Sequence, residues 1–288
     1  MANTVHLLII DPQNDFCDLP EDYCPEVPGT GDRLAPALPV AGAHRDMLRV
    51  ADFIRGAGAR LTDITVTLDS HHRVDIAHPT FWRSGAGAAV PPFTAITAAQ
   101  VRAGEFVPRE AASLDRVLGY LDALEARGRY TLMVWPVHCE IGSWGHDVHL
   151  DVRRAYNRWE EQHGTQVRKV AKGENPWTEH YSALLAEVPL DDDPKTQLNT
   201  GLVQALDAAD TLLICGEASS HCVRATTEHL VARLPDRTVA RMQRVLLLTD
   251  CMSPVTGFEA QEREFLDTMQ RHGVTLLSVA DAAAGLLG

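Results

Sequence analysis

The chain alternates short apolar runs with helical patterns along most of its length, and this alternation constrains the fold more than any single residue. Six runs read as strands: Val5–Ile10, Leu61–Leu68, Tyr130–Val134, Thr211–Cys215, Val245–Leu248 and Val274–Val279. Between several of them the apolar spacing changes to that of a helix. Ala43–Ala57 places Met47, Val50, Phe53 and Ile54 on one face. Ser113 can cap a helix whose core face holds Val117, Leu118, Leu121 and Leu124. Thr200–Ala208, Val223–Leu234 and Gln261–His272 carry the same spacing. The alternation predicts the α/β class, with a doubly wound, mostly parallel six-stranded sheet and helices on both faces. In such sheets ligands bind beyond the carboxyl ends of the strands. Asp11, Asp69, Trp135–Cys139 and Gly216–Cys222 each follow a predicted strand end, so they are candidates for one site.

The reading is of one domain over residues 1–288 with two additions, at about 85–112 and 149–170. Gly85–Ala112 is rich in Ala, Pro and Gly and reads as a loop with a short helix at most. His149–Val170 is charged and reads as helical, with Trp159 as a packing residue. Additions of this length suit lids or subunit contacts, and a homo-oligomer is expected. Gly29–Gly31 reads as a turn, because no lysine follows where a phosphate loop needs one.

The formal net charge of -13 disfavours nucleic acid and anionic lipid as partners, and it is compatible with a small neutral substrate. Val5–Ile10 is too short for a signal or membrane segment, and no other run approaches spanning length. The six cysteines, Cys17, Cys24, Cys139, Cys215, Cys222 and Cys251, form no C-x-x-C pair. That pattern suits free thiols in a reducing compartment, so a cytoplasmic location is expected.

Cys222 falls where a strand feeds a helix N-terminus. There the helix dipole and the free N–H groups favour a thiolate, although a buried cytosolic cysteine is as often inert. Asp11 ends a buried strand, where partial desolvation raises a carboxyl toward the range of a general base; a polar turn of Asp11, Asn14 and Asp15 is the alternative. Lys172, flanked by Ala171 and Gly173, could hold a thiolate by its charge or could simply face water. Asp69, His71 and His138 are carboxylate and imidazole groups that suit a divalent transition metal, with an ordinary polar loop as the alternative.

Taken in order, Asp11-Pro-Gln-Asn-Asp-Phe16, Asp69-x-His71, Trp135-Pro-x-His-Cys139, Lys172-Gly173 and Gly216-Glu-Ala-Ser-Ser-His-Cys-Val223 resemble the nicotinamidase/pyrazinamidase branch of the isochorismatase-like cysteine hydrolases. The resemblance runs from Val5 to about Val279. It implies a catalytic triad of Asp11, Lys172 and Cys222. It implies a cis peptide at Glu217–Ala218, with an oxyanion hole of the Ala218 and Cys222 N–H groups. Asp69, His71 and His138 match the ligands of a divalent metal, zinc first and iron or manganese next, with the fourth ligand open between His78 and His72. Phe16 and Trp135 match walls that sandwich a flat ring, and Tyr181 is a further candidate for substrate binding. The expected activity is hydrolysis of a small, nicotinamide-like carboxamide to acid and ammonia through a cysteine thioester. Two alternatives stand beside it: a metal-free amidohydrolase acting on an N-carbamoyl or maleamate-like substrate, and a non-catalytic binding protein on the same fold. The chain departs from the family pattern at Glu217, where an apolar residue is usual, at Ser220, and in the long polar segment Asn175–Tyr181.

Overall fold

A computed structural model describes residues 3–287. In chain order the strands and helices are β1 (Val5–Ile10), α1 (Ala43–Ala57), β2 (Asp63–Asp69), β3 (Trp82–Ser84), β4 (Thr94–Ile96), α2 (Ala98–Arg102), β5 (Phe106–Pro108), α3 (Leu114–Arg127), β6 (Leu132–Val134), α4 (Leu150–His163), β7 (Arg168–Lys172), α5 (Thr200–Asp207), β8 (Thr211–Gly216), α6 (Cys222–Arg233), α7 (Val239–Met242), β9 (Val245–Leu248), α8 (Glu259–Arg271), β10 (Thr275–Leu277) and α9 (Val279–Leu287).

Six strands form one parallel sheet in the order β10-β9-β8-β1-β2-β7. The central strands β1 and β8 are almost wholly buried, which is why they read as continuous apolar runs. From β1 the chain winds outward through α1 to β2, and from β8 it winds the other way through α6, β9 and α8 to β10. Right-handed crossovers running in opposite directions put their helices on opposite faces. Accordingly α4 and α9 pack on α1, and α8 packs on α6. The order reverses between β1 and β8. A crevice opens at such a switch point, beyond the strand ends.

Two expectations need correction. Tyr130–Val134 does not enter the main sheet: β6 pairs antiparallel with β4, with Val134 opposite Thr94. The sixth place belongs to β7, which lies within and just beyond the segment expected to be helical. As an edge strand β7 buries little besides Lys172, so Arg168 and Lys169 hide its strand character. Trp159 on α4 is buried, and its indole N–H donates to the Gly58 carbonyl at 3.0 Å. The helical part of the 149–170 addition is therefore a layer of the fold, packed on α1.

The 85–112 addition carries more structure than a loop. It holds β4, α2 and β5, and α2 opens with a reciprocal Thr97–Gln100 capping box. With α3 and β6 this region builds a second apolar cluster around Trp82, Ile96, Val117, Leu121 and Val134. That cluster lies beside the carboxyl-end crevice, because Trp135 N–H donates to the Ala77 carbonyl and His71 N–H to the Cys139 carbonyl.

Candidate active site

The polar candidates cluster at strand ends: Asp11 after β1, Asp69 and His71 at β2, His138 after β6, Lys172 at β7 and Cys222 after β8. Asp11 follows β1 with a positive φ of 44°, a backbone state that aspartate tolerates better than most residues. Thr67 on β2 fixes it, since Asp11 N–H donates to Thr67 Oγ1 at 3.0 Å and the Thr67 hydroxyl donates to Asp11 Oδ1. Gly216 ends β8 at a φ of 118°, where an added Cβ would lie 2.0 Å from the Ile10 carbonyl oxygen. Only glycine lets the turn to Cys222 leave the sheet so close to β1. The peptide Glu217–Ala218 is cis, and Cys222 is the first residue of α6. Neither the Ala218 nor the Cys222 N–H has an intrachain acceptor among the described residues.

Lys172, at the end of β7, is the hub. Its ammonium lies 2.9 Å from Asp11 Oδ2 and 2.8 Å from Asp69 Oδ1. It also donates to the His180 carbonyl at 3.0 Å and approaches Cys222 Sγ at 3.5 Å. Asp11, Asp69, Lys172 and Cys222 are all buried. Burial works against a charge on Lys172, but Asp11 and Asp69 outweigh it and hold the ammonium well above its usual pKa. Burial raises the Asp11 carboxyl, against the pull of Lys172. Burial also pushes the Cys222 thiol well up, and Asp11 and Asp69 add to this against Lys172. These groups favour the thiol, against the pull of the helix terminus toward a thiolate. The dipole of α6 acts on a sulfur that already faces two carboxylates. Asp11 Oδ2 receives no aligned hydrogen bond despite its ion pair, and the thiol lies within hydrogen-bonding reach of Asp11.

Beside this cluster lie His71, His78 and His138, with one ring nitrogen of each within 4.8 Å of the others. His71 Nε2 and His138 Nε2 approach Asp69 Oδ2 at 3.0 and 3.3 Å. The outer nitrogens are engaged: His71 Nδ1 lies 3.2 Å from Asp75 Oδ2, and His138 Nδ1 lies 2.8 Å from the Pro136 carbonyl. Outer bonds of this kind turn the Nε2 lone pairs inward, toward where a cation would sit. His78 is buried with an unpartnered Nδ1, and burial, helped by His138 and His71, lowers its pKa to about 2, so the ring stays neutral. His72 is exposed, so His78 is the one that joins the cluster. One carboxylate and three imidazoles fit a divalent transition metal.

The narrow pocket above Cys222 is lined by Phe16, Trp135, Tyr181, Ala218 and His221 as well as Asp69 and His138. The Trp135 indole N–H donates to the Tyr181 hydroxyl at 3.1 Å, which fixes both rings. Sequence reasoning did not single out Glu179, which also lines the pocket. Its Oε1 accepts the His180 N–H at 2.9 Å, its Oε2 has no partner, and burial, with Asp69, lifts its pKa to about 7 against His71. The polar segment after Lys172 was the available signal, but nothing in its spacing separates Glu179 from Glu174.

No protein-family model matches the chain, and no curated protein matches it. Solved structures do. A nicotinamidase/pyrazinamidase from Acinetobacter baumannii superposes with a TM-score of 0.61 at 19% identity, over 97% of this chain and 98% of that one. The yeast nicotinamidase bound to the inhibitor nicotinaldehyde gives 0.60 at 18%, over 96% and 100%. The pyrazinamidase of Pyrococcus horikoshii in complex with zinc gives 0.50 at 18%, over 95% and 98%. The chain has the isochorismatase-like fold of these proteins.

Proposed function

We propose that the protein is a cysteine amidohydrolase that converts a small, nicotinamide-like carboxamide into its acid and ammonia. The observation that carries this reading is the buried contact of Cys222, Lys172 and Asp11, with Asp11 Oδ2 free of other donors, at the floor of an aromatic pocket. Asp11 takes the thiol proton as sulfur attacks the amide carbon, and the fixed ammonium of Lys172 offsets the new charge. The Ala218 and Cys222 N–H groups, free of internal acceptors, donate to the tetrahedral oxyanion; removing one such donor from a hydrolase slows turnover by about 10²–10³. Asp11 returns the proton to the departing ammonia. It then draws a proton from the water that attacks the thioester, which frees the acid and restores the thiol.

Phe16, Trp135 and Tyr181 shape a slot for a flat ring and exclude water from it. Glu179 adds a polar contact, which favours a ring bearing a hydrogen-bonding atom over a wholly apolar one. Asp69, His71, His78 and His138 would hold a divalent metal, zinc first. When bound, that metal supplies a Lewis-acid grip on an electron-pair donor of the substrate ring. The zinc in the pyrazinamidase of the same fold and the donor set here support this part of the reading.

An ammonia-release screen with nicotinamide, pyrazinamide, N-carbamoyl compounds and maleamate tests the proposal. The pyridine and pyrazine carboxamides are expected to turn over fastest, with Cys222→Ala inactive and folded. Substantial activity in Cys222→Ala would sink the covalent route, and preferred release from maleamate would move the substrate class.

A further inference from the structure

The turn that carries Cys222 rests on a second pair of buried carboxyls, separate from the pocket. Glu217, directly after β8, is fully buried, and Asp46 on α1 is 2% exposed. Ser253 stands between them. Its N–H donates to Glu217 Oε2 at 3.2 Å, and its hydroxyl donates to Asp46 Oδ2. Its carbonyl accepts the Ser219 N–H at 2.9 Å, which ties the same residue into the turn. Asp46 Oδ1 accepts from Arg49, and Glu217 Oε1 has no donor among the described residues. Neither carboxyl lines the pocket, and the proposed chemistry uses neither.

The balance of charge decides the state of the pair. Arg49 pairs with Asp46 and turns its Nε to the Asp250 carbonyl. Acting on Glu217 are Asp46 from α1, Asp18 from the loop after β1 and the backbone of Ser253, with the thiols of Cys17, Cys215 and Cys251 close by. No cation is among them. A second anion here would be buried and unpaired, whereas a proton on Glu217 makes it a donor within reach of Asp46.

We propose that Glu217 is a positioning residue, held as the neutral acid, whose hydrogen bond to Asp46 and grip on Ser253 brace the Gly216–Cys222 turn against α1. The proposal rests on the reading of that turn as the seat of the nucleophile. It gives a physical role to a residue that stands where the resembling family has an apolar one. Burial, and then the charge of Asp46, hold the Glu217 carboxyl well above the usual glutamate range, in keeping with a retained proton.

Two measurements test it, and the first needs no activity. A carboxyl whose pKa is raised on folding contributes stability that is full below its unfolded pKa and is lost as pH rises toward the folded value. Glu217→Gln cannot ionise, yet it keeps a donor for Asp46 and an acceptor for Ser253. On raising the pH from 5 to 9 the wild type should lose about 3 °C or more in Tm relative to Glu217→Gln. Parallel Tm profiles would overturn the protonated pair. In the second measurement, Glu217→Leu should lower kcat about tenfold or more with little change in KM, and Glu217→Gln should restore most of the loss. A wild-type kcat in Glu217→Leu would overturn the positioning role. If the wild type turns over no amide, the functional reading fails, and the thermal comparison still decides the state of Glu217.

Discussion

At the scale of single residues the site works by crowding charge into a dry space. Two carboxylates and one ammonium meet beneath the thiol, and a thiolate would be a third anion there. In the proposed mechanism Cys222 gains its reactivity from Asp11 during the reaction and not from a standing low pKa. Asp11→Asn should leave fold and thiol in place and lower kcat by about 10²–10⁴, the usual worth of a positioned base. The pH profile carries the same information. Burial raises the Asp11 carboxyl above the ordinary aspartate range, against the pull of Lys172, so the base form appears only at higher pH. The acid limb of kcat/KM should accordingly lie above the ordinary aspartate range, and a limb within or below that range would remove Asp11 from this role. Asp11 and Cys222 stood out in the sequence because polar groups at the ends of apolar runs are rare and placed, whereas Lys172 stood out only through the family resemblance. Glu179 and His180 did not, since a loop has no period against which a buried polar residue departs.

At the scale of elements, legibility followed burial. β1, β8 and β9 are buried along nearly all their length and appear as apolar runs, so they could be read as strands of a parallel sheet. β6 has the same apolar character yet belongs to a small antiparallel pair, because a three-residue strand buried in any core reads alike. β7 was hidden by its exposed edge, although its last residue is the site's lysine. α4 read as a charged helix because a single stripe of Val152, Ala155, Tyr156 and Trp159 faces inward. That stripe makes a prediction. Trp159→Ala should destabilise the protein by about 3–5 kcal/mol in urea unfolding, through the cavity left against Gly58. Lys172 lies nine residues beyond α4 and is held by pairing with β2, so KM should stay near the wild-type value. A much smaller loss of stability would mean that α4 is peripheral to the core after all.

At the scale of the whole molecule the candidate metal set joins two bodies of packing. Asp69 and His71 come from the end of β2 in the main sheet, whereas His78 and His138 come from the segments that flank the second apolar cluster. A cation bound by all four would tie that cluster to the sheet. Ligand binding to the folded state alone adds about 2.7 kcal/mol at one hundred times the dissociation constant. For a chain somewhat smaller than this one, that corresponds to about 5–10 °C in Tm. After chelation, restoring zinc should raise Tm by about that amount. Amide exchange should slow most in residues 76–138, since the tie closes that segment onto the sheet. His78→Ala should weaken the zinc-induced shift while leaving the metal-free Tm close to that of the wild type, because it removes one of the two ligands that come from beside the second cluster. A zinc-induced shift that survives His78→Ala intact would confine the site to Asp69, His71 and His138. An absent shift in the wild type would exclude the cation and leave the three imidazoles as a hydrogen-bonded wall of the pocket.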